Sequence, residues 1–167
     1  MLKKAIWIGL FVVLTTGFGI NRFYVNVQAN YWETNSQAVQ AAYEKTTMTK
    51  ANRVEAFHGA RSYEVVYGED KLGNGLIVWV PFKQDGTGLA IDEIHTEMTA
   101  ENITEEAVRG IMAKKNPKLD ILRVNAGEFK GKYVWEVFYK DEQDRAFYDY
   151  YNLKTGALED TFKLSLQ

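Results

Sequence analysis

The sequence predicts an α+β protein in which an N-terminal membrane helix precedes two tandem small domains, each with one helix packed on an antiparallel sheet. Three observations lead to this fold class. An uncharged apolar stretch follows Lys3 and Lys4. Two aromatic-rich hairpin patterns occur, from Tyr63 to Gly88 and from Tyr133 to Thr161. A helix-like segment precedes each of them, and a helix covering one face of a small sheet gives a two-layer domain.

Composition restricts the class of protein further. The 167 residues are 46% hydrophobic and 25% charged, which is typical of a globular chain. The net charge is −2, and Lys3, Lys4 and Arg22 all lie in an N-terminal segment without acids, so the remainder is more acidic still. This balance argues against a nucleic-acid partner, which requires a basic surface. The absence of cysteine excludes disulfides, iron–sulfur clusters and thiol nucleophiles.

The apolar N-terminal stretch predicts a single-pass membrane anchor. Residues 5–20 carry no charge and would span about 24 Å as a helix, and extension to Val27 makes the segment long enough to cross a bilayer. With Lys3 and Lys4 retained inside, the N-terminus is cytoplasmic and the bulk of the chain is extracytoplasmic. The alternative is a signal peptide cleaved after Ala29. We expect membrane contact through residues 5–27, at the cell membrane.

The first repeat unit is predicted from Asn30 onward. Residues 30–47 contain no glycine or proline, and Val39, Ala42 and Tyr43 fall on one helical face. Alternating or β-branched patterns then predict four short strands bounded by turn residues. These strands are expected at residues 51–57, 63–67, 76–82 and 89–94.

The pattern restarts at Thr104, which is suited to cap a helix that carries Glu105 and Glu106 in its first turn. Asn116 and Pro117 are expected to end that helix. Strands are predicted at residues 119–126, 133–139 and 147–151, and the unit closes near Phe162 and Leu164.

The two units align with nearly constant spacing. The strand of residues 63–67 (YEVVY) matches residues 135–139 (WEVFY) at an offset of 72, while Gly86 matches Gly156 at an offset of 70. Ala38-Val39 likewise matches Ala107-Val108 at 69. We therefore expect a membrane segment at residues 1–29, a first domain at 30–100 and a second domain at 101–167.

No motif in the chain indicates catalysis. The two histidines, His58 and His95, are far apart and are expected to face solvent. The sequence has no metalloprotease, nucleophile-elbow or phosphate-loop motif, and its glycine pairs lie in turns. We predict a protein that is not an enzyme, with no cofactor, no metal and no catalytic residue.

Strand alternation suggests a surface for packing or binding. An unpaired buried carboxylate is costly, so the sheet faces that carry acids are expected to point away from the helices. These faces are apolar enough to need a cover, either the other domain or a partner. The predicted residues are Glu64, Val66, Ile77, Trp79, Val134, Glu136, Phe138, Phe147, Asp149 and Tyr151.

Four segments carry a resemblance to a known family: residues 75–81 (GLIVWVP), 103–107 (ITEEA), 133–139 (YVWEVFY) and 150–156 (YYNLKTG). Their order behind a short anchor resembles the TseB-like (YpmB-like) cell wall elongation regulators, whose domains are similar to PepSY modules and have a cystatin-like shape. The resemblance covers nearly the whole chain.

The resemblance implies a non-enzymatic, extracytoplasmic regulator of cell wall synthesis and lateral elongation. Its expected partner is a class B penicillin-binding protein or another protein of wall synthesis. PepSY relatives that restrain peptidases supply an alternative function, namely inhibition or modulation of an extracellular protease. The family resemblance supplies no individual functional residue.

Overall fold

The computed structural model describes residues 32–164, and the predicted anchor lies outside them. Within that part of the chain, no helix combines the length and the apolar character needed to cross a membrane. The packing described below belongs to the compact unit that begins at Gln37.

The first half consists of one helix and a four-stranded antiparallel sheet. Helix α1 covers residues 32–45. The strands follow in the order β1-β2-β3-β4, so each pairs with its neighbour in sequence. Their bounds are β1 Met48–His58, β2 Ser62–Asp70, β3 Gly75–Pro81 and β4 His95–Met98.

The second half repeats this order. A short 3-10 turn at Thr99–Glu101 leads to helix α2, Glu105–Lys115, and then to a second sheet with strand order β5-β6-β7-β8. Its strands are β5 Asp120–Phe129, β6 Lys132–Lys140, β7 Ala146–Asn152 and β8 Leu158–Lys163. The predicted α+β class is confirmed, with two separate antiparallel sheets. The division into domains at residues 100 and 101 stays a prediction.

Helix α2 begins and ends at the predicted residues. The Thr104 side chain accepts a hydrogen bond from the Ala107 amide, and Asn116 is the C-cap. Glu105 and Glu106 lie in the first turn, and Lys114 and Lys115 lie in the last. Each charge therefore faces the end of the helix dipole that stabilises it.

The predicted fourth strand at residues 89–94 is wrong. Leu89 makes only an isolated bridge to Phe82, and the chain turns at residues 91–93 before β4 begins at His95. The apolar residue that suggested a strand is nevertheless buried, since Leu89 belongs to the core beneath α1. A buried loop residue such as Leu89 produces the same apolar sequence pattern as a short strand.

Two hydrophobic clusters hold the compact unit together. The smaller lies between α1 and the first sheet, where Ala38, Ala41 and Ala42 contact the buried valines of β2 and β3. The larger is shared: α2, the second sheet and the opposite face of the first sheet all contribute side chains. The first sheet therefore packs on both faces, and it shares one of its two cores with the second sheet.

A glycine permits close contact between the two halves. A Cβ on Gly127 of β5 would lie 2.2 Å from the ring of Phe57 in β1. Phe57 is 2% exposed and belongs to the shared cluster. We infer that the bare backbone of Gly127 lets β1 and β5 approach closely.

Candidate functional site

Strand register divides the residues of each sheet between two faces. Paired residues share a face, and neighbours along a strand alternate. In the first sheet, Val66 pairs with Val78 and Val65 with Trp79. In the second, Trp135 pairs with Tyr151 and Glu136 with Tyr150. The predicted grouping of the ten candidate residues is therefore wrong, because it mixes residues from both faces of each sheet.

The α2 face of the second sheet is the side that packs under helix α2. It carries three of the ten predicted residues, Phe147, Asp149 and Tyr151, together with Trp135, Val137 and Tyr139. The expectation that Asp149 points away from the helix is wrong. Asp149 is fully buried beneath α2.

The carboxylate of Asp149 is tolerated there because it is fully paired. It accepts hydrogen bonds from Lys115 Nζ at 2.6 Å, Thr161 Oγ1 at 2.8 Å, Tyr151 Oη at 3.1 Å and Tyr139 Oη at 3.2 Å. Burial and the neighbouring Asp149 charge raise the pKa of Tyr151 well above its ordinary value, so its hydroxyl remains a donor. A buried charge is costly only when it lacks such partners.

The α1 face of the first sheet carries Glu64 and Val66, which are also buried. Val66 packs in the cluster that contains the alanines of α1. Glu64 is 3% exposed, and its Oε2 has no hydrogen-bond partner within the described residues. Burial raises the pKa of Glu64 to about 7. The expectation that Glu64 points away from the helix is therefore wrong as well.

The docked face of the first sheet is the opposite side, formed by Tyr63, Val65, Tyr67, Ile77 and Trp79. All of these residues lie in or against the shared cluster. The Tyr67 ring stacks on Trp135 with centroids 6.4 Å apart, and its Oη accepts a hydrogen bond from the Ala126 amide at 2.9 Å. The ring centroids of Trp79 and Tyr133 lie 4.7 Å apart. Two of the predicted residues, Ile77 and Trp79, thus lie where the halves meet.

The open face of the second sheet is the side opposite α2. It carries the remaining predicted residues, Val134, Glu136 and Phe138, together with Tyr148 and Tyr150. Val134 and Glu136 are buried, and the three aromatic residues are partly exposed. The rings of Phe138 and Tyr148 stack at 4.7 Å. The Tyr150 ring stacks on the Phe129 ring with centroids 4.2 Å apart. It also packs edge-on against the ring of Phe162, which is 45% exposed, with centroids 5.9 Å apart. The result is a row of partly exposed aromatic rings.

A paired carboxylate lies in the middle of the open face. Glu136 accepts hydrogen bonds from Arg123 Nη2 at 3.0 Å and from Tyr150 Oη at 3.1 Å. Burial and the Glu136 charge raise the pKa of Tyr150 well above its ordinary value, which keeps its hydroxyl a donor. Glu136 is thus fixed in place and leaves the neighbouring rings as the exposed part of the surface.

The open face is the counterpart of the docked face. When the two sheets are aligned by the sides that their helices cover, equivalent residues are 71 apart: Val66 with Val137, Val78 with Asp149, Tyr67 with Phe138 and Trp79 with Tyr150. The second half covers the docked face of the first sheet. No third unit exists among the described residues to cover the open face.

The sequence alignment of the two strands was one residue out of register. Matching the segment YEVVY to WEVFY places equivalent residues 72 apart. Matching the sheet faces that the helices cover places them 71 apart. A slip of one residue moves every side chain to the other face. The turn pair Gly86 and Gly156, both with positive φ, gives an offset of 70, which is also one residue from the register of the strands.

The two histidines have different surroundings. His58 Nδ1 lies 3.3 Å from Ser62 Oγ, on the exposed surface. His95 was expected to face solvent, but its ring stacks on Tyr133 at 3.8 Å and its Nε2 lies 3.0 Å from Glu97 Oε1. Across residues 32–164, no group of three or more potential ligands could hold a metal ion.

Comparisons with known proteins agree with this architecture. Residues 37–81, from α1 to the end of β3, match the family model of the cell wall elongation regulator TseB-like domain. The resemblance to the TseB-like family is confirmed. The chain is 27% identical over 135 residues to the probable cell wall elongation regulator TseB of Bacillus subtilis, covering 81% of this chain and 80% of that protein.

A solved structure supports the same relationship. The chain is similar to the YpmB protein from Bacillus subtilis, with a TM-score of 0.64 and 27% identity. The match covers 77% of this chain and 96% of the solved chain. Both halves, and not only the segment matched by the family model, therefore contribute to the similarity.

Proposed function

We propose that this protein is a membrane-anchored, extracytoplasmic regulator of cell wall elongation that acts by binding another protein, without catalysing a reaction. The observation that carries the proposal is the similarity to the probable cell wall elongation regulator TseB, over four fifths of both chains. The similarity to YpmB over 96% of that chain supports it. PepSY-like and cystatin-like domains at residues 30–100 and 101–167, behind an anchor at 5–27, form part of the proposal.

The proposed partner is a class B penicillin-binding protein. We propose that it binds the open face around Phe138, Tyr148 and Phe162. Three observations support this surface: its aromatic rings are partly exposed, its counterpart on the first sheet is covered by a protein unit, and the other three sheet faces are occupied. Aromatic side chains dominate the binding energy of many protein interfaces.

The experiment is a crosslinked pull-down from membranes, followed by a binding measurement with the purified partner. Wild-type chain should recover a class B penicillin-binding protein, and Phe138→Ser should weaken binding by about tenfold or more, as expected when a central aromatic contact is truncated. Because Phe138 is only half-buried, the melting temperature should fall by only a few degrees. Recovery of peptidases in place of synthases would support the alternative of protease modulation.

Leu72→Ser is the matched control. Leu72 is 78% exposed in the turn between β2 and β3, so it is the most exposed large apolar side chain among the described residues. Its replacement should leave binding of the partner unchanged. Equal loss of binding in both variants would contradict the assignment of the open face, and recovery of no wall-synthesis protein by the wild-type chain would contradict the proposed function.

A further inference from the structure

A basic pocket lies at one end of the first sheet, away from the open face. It is formed by the β1–β2 turn and by the loop that follows β3, and it encloses about 550 Å³. Its lining includes the cations Arg61 and Lys83 together with His58, and no acidic side chain lines it.

Arg61 carries a donor without an acceptor. Its Nη2 donates to Glu93 Oε2 at 2.6 Å, and its guanidinium carbon lies 5.8 Å from the centre of the Tyr63 ring. These contacts hold the guanidinium in place. Its Nε is buried and has no hydrogen-bond partner among the described residues. Buried donors in proteins are nearly always satisfied, so this N–H is free to pair with an acceptor that reaches it.

The other groups around the pocket also supply donors. Within residues 32–164, Lys83 forms no ion pair, and its side chain is exposed. The Ser62 hydroxyl and the Gln84 amide line the same cavity. Donors therefore reach the pocket from β2 and from the loop after β3. Glu93 neutralises part of the Arg61 charge, and the Asp85 carboxylate interacts with the Lys83 ammonium, so both cations beside the pocket are partly compensated.

We propose that this pocket binds a phosphate group. A phosphate carries negative charge and several strong acceptor oxygens, which suits a guanidinium, an ammonium and neutral donors arriving from different sides. A carboxylate has only two oxygens and would leave some of these donors unpaired. The cavity is many times the roughly 30 Å³ that a water molecule occupies, so it accommodates a phosphate attached to a larger molecule. Phe82 and Ala60 offer apolar contacts for that remainder.

The test is a titration of the ¹⁵N-labelled full-length chain, in maltoside micelles, with inorganic phosphate. The amides of residues 58–62 and 82–86 should shift and saturate, with a Kd on the order of 1 mM for so small a probe. Acetate at equal ionic strength should shift them much less. Absence of saturation, or identical shifts with acetate, would overturn the proposal.

Two variants make the test specific. Lys83→Glu should weaken phosphate binding by about tenfold or more because a cation becomes an anion. Arg61→Lys retains the charge and the ion pair to Glu93 but removes the orphan Nε donor, and it should weaken binding about threefold to tenfold. Unchanged affinity in both variants would overturn the proposal. Melting temperatures confirm that each variant is folded.

Lys71→Glu provides the matched control. Lys71 is exposed in the β2–β3 turn, and its reversal changes the net charge by the same amount as Lys83→Glu. The Lys71→Glu variant should bind phosphate with the same affinity as the wild type. If Lys71→Glu weakened binding as much as Lys83→Glu, the effect would be one of total charge, and the pocket would not be the site.

The same amides distinguish two sources of the phosphate. Shifts with a soluble glycerol phosphodiester indicate a phosphate on a soluble molecule or polymer. Shifts that appear only in nanodiscs containing phosphatidylglycerol indicate a lipid headgroup. Both outcomes support phosphate recognition. This proposal does not rest on the proposed function, because purified protein can bind phosphate whether or not it engages a penicillin-binding protein.

Discussion

The docked face of the first sheet and the open face of the second occupy equivalent positions but have different surroundings. Tyr67 and Trp79 on the docked face pack against Trp135 and Tyr133 of the second half. Their counterparts Phe138 and Tyr150 stack on rings of their own sheet, Tyr148 and Phe129. The difference shows that one side of a repeated unit can serve as core in the first copy and as surface in the second.

The comparison also explains why the open face is aromatic. Its side chains match a set that is used for packing between the halves, so the open face keeps the apolar character of a packing face although no unit among the described residues covers it. Partly exposed aromatic rows of this kind are typical of protein interaction sites. The open face is therefore a better candidate for partner binding than the ten residues predicted from the sequence.

The largest expected effect follows from truncating the docked face. Trp79→Ser should lower the free energy of unfolding by about 3–5 kcal/mol, because it removes a fully buried ring from the shared core. Denaturant unfolding followed by tryptophan fluorescence or circular dichroism measures it. Tyr150→Ser, at the equivalent position, should cost at least about 1 kcal/mol less because the site opens to solvent. Equal losses would mean that the two faces are not different environments.

Each sheet buries a glutamate: Glu64 Oε2 in the first sheet has no hydrogen-bond partner within the described residues, whereas Glu136 in the second sheet is paired. Glu64→Gln tests that difference. The pKa of Glu64 is about 7 in the folded chain against an ordinary value of 4.5, so folding favours the protonated form. The stability associated with that proton is present below pH 4.5 and is lost as the pH rises toward 7. We expect Glu64→Gln to raise the free energy of unfolding by roughly 1–3 kcal/mol at pH 8 and to leave it nearly unchanged at pH 4.

Glu136→Gln is the matched control for that change. Glu136 is equally buried but is paired with Arg123 and Tyr150. Its neutralisation should lower stability at pH 8 by about 1 kcal/mol, which is the opposite sign. Urea unfolding at the two pH values measures both variants. A loss of stability at pH 8 in Glu64→Gln would show that Glu64 has a partner the structure does not contain.

The smallest expected effect concerns the open face itself. Phe138→Ser should lower the free energy of unfolding by about 1 kcal/mol, since it removes a half-exposed ring and its stacking on Tyr148. Thermal unfolding measures this change. A loss of about 3 kcal/mol or more would show that the open face is covered in solution, for example by a second copy of the chain.

Much of the fold could be predicted from the sequence. The cap at Thr104, the stop at Asn116 and the hairpin turns depend on local chemistry, and the structure has them where they were expected. The fourth strand of the first sheet was misplaced because Leu89, a buried loop residue, imitated strand periodicity.

The candidate site was harder to predict because it depends on register. An error of one residue in aligning the two repeats assigns every side chain to the wrong face of its sheet. The similarity between the two strand sequences favoured that wrong offset. The cost argument for carboxylates failed at Asp149 because its partner Lys115 lies 34 residues away and meets it only after folding. Such compensation by a distant side chain leaves no local signal in the sequence.

The shared core has a consequence for the biosynthesis of the chain. The docked face is covered by Ala126, Tyr133 and Trp135, which are synthesised well after β3 is complete at Pro81. At translation rates of about 5–20 residues per second, its aromatic side chains have no cover for roughly 3–10 seconds. A chain interrupted before Asp120 never acquires that cover. Such truncated products should be prone to aggregation and proteolysis, so accumulation of the protein should depend on completing translation beyond β6.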